Sequence, residues 1–168
     1  MDFSMYIKII IFSMLPITEL RLSIPYFVIF EKLDWMMVVM LSVIGNIFIG
    51  FTIFYLIAPI MIFLSKNRYF KNIINYILDR TRSKSSLINN FKALGLVLFI
   101  GIPLPFTGVW TGSLAAYLFS ISKKRVIVAI VMGVLMSATI VTLLTLLANE
   151  IWLNIINDQL NKKFGIFQ

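Results

Sequence analysis

The chain has 168 residues, 60% hydrophobic and only 13% charged, with a mean hydropathy of +0.97, a composition far outside soluble domains and suited to a bilayer. It contains no cysteine and no histidine. That excludes disulfides, Ser-His-Asp triads and thiolate or imidazole metal ligands, so no metal and no cofactor is expected. The net charge of +8 reads as membrane topology rather than a nucleic-acid footprint, because Lys and Arg collect on the cytoplasmic side.

The first apolar region, residues 5–30, is interrupted by "LPITELRLSIP", which brings Pro16, Glu19, Arg21 and Pro25 into its middle. The preceding "MDFSMYIKIIIFSML" has no basic leader region or small-residue cleavage site, so no cleaved signal peptide is expected. Residues 34–64 contain thirty uncharged residues, enough for one tilted spanning helix. Residues 65–92 form a basic connector with Lys66, Arg68, Lys71, Arg80, Arg82, Lys84 and Lys92 against Asp79 alone. Within it Tyr69, Phe70, Ile73, Ile74, Ile77 and Leu78 recur at helical spacing, which predicts an amphipathic interfacial helix. The second interrupted region, 94–121, is broken by "IPLPFTGVW", and 126–148 predicts a second span. Residues 149–168 read as an interfacial tail with Trp152 as an anchor.

Each interrupted region has apolar arms of about ten residues, which rise only ~15 Å as helix against a hydrocarbon core of ~30 Å. Such arms can make a re-entrant hairpin that enters and leaves on one face, or two kinked spans. Charge decides between these. If 94–121 is re-entrant, Lys123, Lys124 and Arg125 return to the side of the basic connector, and ten of the fifteen basic residues lie in the cytoplasm. If it crosses, three of those ten lie outside. Re-entry is the better expectation.

The predicted fold is therefore an all-α integral membrane protein forming a single domain. It is an inverted repeat of hairpin 5–30 plus span 34–64 and hairpin 94–121 plus span 126–148, joined by the amphipathic connector. Broken helices related by such a repeat place a binding site near the bilayer midplane, and irregular backbone survives there only when buried in protein or lining a polar cavity. The tips "PITELR" and "PLPFTG" are expected to meet.

Glu19 and Arg21 are the only charges deep within an apolar region, and intramembrane charges mark function by default. They pair with each other, face water or meet a substrate. At i, i+2 they would not face one another on a regular helix, so pairing requires a non-helical tip between Pro16 and Pro25. Pro103 and Pro105 stop a continuous helix. Thr107, Gly108, Thr111 and Gly112 then supply hydroxyls, close backbone approach and a half-helix N-terminus suited to an anion. Trp110 lines the cavity or packs beside it. Asn46, in "GNIFIG", either bonds between helices or lines the pathway.

"ELRLSIP" (19–25), "GN" (45–46) and "IPLPFTGVWTGSLAAYLF" (102–119) resemble the motifs of the small multidrug export protein family of prokaryotic membrane proteins. Leu22 and Ser23 stand where that family has Gly-Ala, and Phe106 stands where it has Gly, which would narrow the second tip. The family in turn resembles the DedA/VTT superfamily, whose members are described with opposed re-entrant loops. That wider resemblance implies proton-dependent transport, lipid scrambling or lipid-phosphate translocation, and a prokaryotic plasma-membrane location.

Three functions remain open. The first is a transporter with Glu19 as its protonatable group, where burial favours the neutral carboxyl and Arg21 the charged one. Arg21 and the half-helix N-terminus together favour a substrate with an anionic part, such as a lipid phosphate. The second is an uncoupled scramblase or structural membrane protein, with the basic connector on anionic lipid. An enzyme is the weakest, because one deep carboxylate without His or Cys is poor acid–base machinery. Expected partners are membrane lipids, a small-molecule or lipid substrate, and a second copy of the chain, since two spans do not enclose a pathway; no nucleic acid is expected.

Overall fold

In the computed structural model, residues 3–64, 66 and 89–164 are described, without the side chains of 64, 89–92, 152, 153 and 155–164. The predicted amphipathic connector and the side chain of Trp152 lie outside the described residues. Every regular element among those described is helical. They are α1 (Phe3–Met14), α2 (Glu19–Pro25) running into a π-helical turn (Tyr26–Phe30), α3 (Trp35–Leu64), α4 (Asn89–Gly101), α5 (Val109–Leu118) and α6 (Lys123–Phe164).

The stretches Trp35–Phe63 and Lys123–Ile151 are long and apolar enough to cross a membrane. Their surfaces agree with that setting. Met36, Met40, Ile44 and Phe48 recur every four residues along α3 and are all more than half exposed. The interior, by contrast, buries Ser13, Ser23, Ser42, Asn46, Ser113 and Ser137. Apolar outside with small polar residues inside is how helices pack when lipid is the solvent. α6 has 42 residues, ~63 Å at 1.5 Å each, so its last part continues well past a bilayer. It runs on through residues 149–164.

The broken regions fold as helical hairpins beside the long helices. α1 and the α2–π segment are antiparallel: Phe12 stacks on Tyr26 with ring centroids 5.5 Å apart, and Met5 and Lys8 share a cavity with Phe27 and Glu31. α1 runs parallel to the first half of α3, since Ile9 clusters with Val38 and Ser13 touches Gly45. The second hairpin repeats this plan. Ile100 of α4 packs on Gly112 of α5, and α4 runs parallel to α6, with Gly101 against Met136. α3 and α6 are antiparallel, because Gly50 meets Ile130 while Ala58 and Lys123 line one cavity. The two hairpins consequently approach from opposite ends and meet tip to tip, beside the middle of each long helix. One core, from Leu20 and Ile24 through Ile100 and Val109 to Ile130 and Val134, joins both hairpins.

Local chemistry explains the breaks. Pro103 and Pro105 leave residues 102–108 non-helical, and Gly108 caps the start of α5 with a φ of 129°, a conformation only glycine adopts easily. α5 ends where Ser120 takes the left-handed conformation (φ 52°), with Ile121 N–H donating to Ala116 O in a Schellman-type cap. In the first hairpin the break is shorter than its prolines implied. Only 15–18 are non-helical, and "ELRLSIP" is itself α2. Pro25 is accommodated at the helix end, where the backbone widens into the π turn and Glu31 N–H donates to Tyr26 O.

At Gly133 an added Cβ would lie 2.7 Å from Ile100 Cβ and 3.1 Å from Val97 O, so α4 and α6 touch only because that position is bare. Gly95 faces nothing within 4 Å. Gly133→Leu should therefore lose roughly 1–3 kcal/mol or more from overpacking. Gly95→Ala should gain up to about 1 kcal/mol from helix propensity. Thermal midpoints in detergent check both, and equal effects at the two sites would refute the packing described.

Candidate functional site: the meeting of the two hairpin tips

The first tip contributes Glu19 and Arg21 from the start of α2. Glu19 has φ 42°, a strained value for a non-glycine residue, and this local turn brings its carboxylate to Arg21 despite the i, i+2 spacing. Arg21 Nη2 lies 3.3 Å from Glu19 Oε2, with side chains only 17% and 7% exposed. The non-helical tip anticipated for this pairing is shorter than expected, residues 15–18 followed by the left-handed Glu19 at the start of α2.

Both side chains then reach the second tip. Arg21 donates through Nη1 to Leu104 O and through Nη2 to Thr107 O. The Glu19 carboxylate lies against Gly108 at the N-terminus of α5, beside the backbone N–H groups of its first turn. A Cβ on Gly108 would land on Glu19 Oε2 and Arg21 Nη2, so this glycine is bare because the ion pair occupies its side-chain space. The half-helix N-terminus thus holds an anion, as its dipole favours. That anion is the chain's own carboxylate.

The contact is reciprocal. Trp110 Nε1 donates to Met14 O (3.1 Å) and Asn46 Nδ2 to Ser13 O (2.8 Å), satisfying the last carbonyls of α1. Thr18 Oγ1 bonds Phe12 O in the same place. Within the second tip, Thr107 Oγ1 lies 2.8 Å from both Ile102 O and Leu104 O. Each broken helix end is closed by a side chain, and three of these side chains (Arg21, Glu19 and Trp110) come from the opposite hairpin.

The sequence-derived candidates therefore separate by role. Glu19, Arg21, Thr107, Gly108 and Trp110 converge at the tips. Pro103 and Pro105 shape the second tip, and Asn46 braces the first through an interhelical bond. Trp110 both packs on the core and donates a hydrogen bond. Gly112 allows Ile100 to approach α5, while Pro25 stands away from the junction, at the end of α2. Thr111 has a buried Oγ1 without a hydrogen-bond partner. Phe106 does not narrow the junction: it adopts φ 66° and its side chain is 90% exposed. Sequence reading missed two buried hydroxyl contacts, Ser23 with Ser42 (2.9 Å) and Ser113 with Gly50 O (3.1 Å). Their signal was a small polar residue beside a glycine or facing another serine across helices. That pattern is unreadable until the helices are paired.

Among the described residues there is no cluster of acidic side chains able to hold a metal ion. The family model described as "Putative small multi-drug export protein" matches residues 19–140. The chain belongs to this family. The matched stretch begins at Glu19 and takes in Arg21 of the first tip, the whole second tip, α3 and the first part of α6. Neither a curated protein nor a solved structure matches the chain.

Removing one member of a buried ion pair leaves the other unpaired, at a cost of about 3–5 kcal/mol. Arg21→Met and Glu19→Gln should each destabilise the detergent-solubilised protein strongly. The double variant should lose clearly less than their sum, with a coupling of roughly 1–3 kcal/mol. Additive losses in this double-mutant cycle would mean that the two residues act independently.

Proposed function

We propose that this member of the small multidrug export family is a proton-coupled transporter, with its substrate passing between two opposed re-entrant hairpins. The observation that carries this reading is the Glu19–Arg21 clasp joining the tips beside the middle of both long apolar helices. Reinforcing a single bundle does not require a carboxylate and a guanidinium at that depth, where charges are costly. A group able to change charge at the point where two halves close on each other is what alternating access requires. The opposed hairpins, each beside the first half of its long helix, support an inverted repeat.

The arrangement described is the closed junction. Passage requires the tips to part, which breaks the bonds of Arg21 to Leu104 O and Thr107 O and lifts Glu19 from the α5 N-terminus. Protonating Glu19 removes the charge that holds it there, and an anionic group of a substrate can take its place beside Arg21. The reading therefore favours an amphiphilic substrate with an anionic part, such as a lipid phosphate, and a homodimer in which the second copy completes the enclosure. It involves transport without bond chemistry. The basic residues flanking the second hairpin support a cytoplasmic position for residues 65–92 and 123–125.

The absence of native cysteine makes the topology directly measurable. Lys66→Cys and Ser122→Cys are expected to resist a membrane-impermeant maleimide in intact cells and to react once the membrane is opened. Reaction of Ser122→Cys alone from outside means that 94–121 crosses the bilayer, and the proposal falls. In proteoliposomes, Glu19→Gln should abolish the pH-gradient dependence of flux measured with a fluorescent phosphatidylglycerol. Unchanged gradient-independent flux in the variant and wild type would instead identify an uncoupled scramblase.

A further inference from the structure

A second site stands apart from the tips, at the opposite end of the second hairpin. α6 begins Lys123–Lys124–Arg125, with no acidic residue in its first turn. Three cations at the positive end of a 42-residue helix are placed against its dipole. Helix stability does not explain the arrangement, whereas the placement suits an anionic ligand at the helix start.

The space beside these cations has a defined shape. α4 and α6 touch at Gly133, against Ile100, and at Gly101, against Met136. Towards their N-termini the two helices part, leaving a cavity of about 380 Å³ between Ala93, Leu94 and Val97 on one wall and Val128 and Ala129 on the other. Lys124 and Arg125 stand at its N-terminal rim. The result is an apolar wedge that is closed at the glycine contacts, opens at the surface end of the spanning helix, and is headed by two cations. Lys123, one residue earlier, lines a different cavity with Tyr55, Tyr117 and Ser120.

We infer that this wedge is a binding site for an anionic phospholipid, its phosphate on Lys124, Arg125 and the α6 N-terminus and one acyl chain between α4 and α6. Charge complementarity selects the head group, because each nearby Lys or Arg contributes about 1 kcal/mol to anionic lipid. The uncharged walls select the chain. The site rests on α6 spanning the bilayer and does not depend on the hairpins being re-entrant or on transport at the tips.

The test uses the full chain in detergent, with phosphatidylglycerol or phosphatidylcholine added, read by native mass spectrometry and thermal midpoint. Phosphatidylglycerol should be retained and should raise the midpoint by about 4 °C or more, while phosphatidylcholine should not. Lys124→Gln with Arg125→Gln should weaken retention about tenfold or more. Lys123→Gln, with the same charge change on the other cavity, should weaken it far less. Val128→Trp, at a position 60% exposed and so able to accept bulk, should remove retention with every cation intact. Equal losses from Lys123→Gln and the double variant would reduce the effect to general surface charge and overturn the site. Retention unaffected by Val128→Trp would overturn it too. So would an equal midpoint rise from glycerol 3-phosphate at the same concentration, since the wedge then has no role.

Discussion

A backbone that stops being helical inside an apolar slab leaves carbonyl and N–H groups with no water to bond, and each such group costs several kcal/mol if left alone. The architecture follows from how this chain meets that demand. The end of α1 exposes Ser13 O and Met14 O, which Asn46 and Trp110 satisfy. The second tip exposes Leu104 O and Thr107 O, to which Arg21 donates, and the Glu19 carboxylate lies at the start of α5 against Gly108. Neither tip is satisfied by its own hairpin alone, so each is stable at that depth only against the other.

That mutual requirement ties the two tips into one unit. Glu19 and Arg21 are placed by a left-handed turn at Glu19, and room for them is made by Gly108 having no side chain. The strain at Glu19 and the bare Gly108 are meaningful only together. A junction held by one ion pair and several backbone bonds is also one that a single proton can weaken. Packing elsewhere is of another kind: the α4–α6 contact at Gly133 is steric, fixed by close approach, and offers nothing to titrate.

The surface chemistry divides the molecule in a similar way. Exposed positions on the two long helices, such as Met40, Phe48 and Met132, are apolar. The buried serines, Asn46 and the tip residues are polar and bonded to specific partners. Where cations gather, at Lys123 to Arg125, the spanning helix leaves the apolar region and the α4–α6 wedge opens. Charge thus appears in two settings, buried and paired at the tips or gathered at the start of α6, and the physical demands on the two differ.

Much of this was legible in the sequence. Composition and thirty uncharged residues sufficed for the α3 span, two prolines within "IPLPFTG" for the second break, and the isolation of Glu19 and Arg21 for the expectation that they matter. These are local properties, and periodicity, proline chemistry and charge cost act over a few residues. Sequence reasoning went astray where a local signal was overruled by its surroundings. Pro25 does not break α2, because the backbone widens into a π turn, and Phe106 takes a left-handed conformation with its ring turned away from the junction. Which carbonyl Arg21 would meet, that Glu19 would occupy the α5 N-terminus in place of an outside anion, and that Gly108 would be bare for their sake could not be read from the chain. Those facts join residues more than eighty positions apart, and only the packing of two hairpins against antiparallel helices brings them within hydrogen-bond distance.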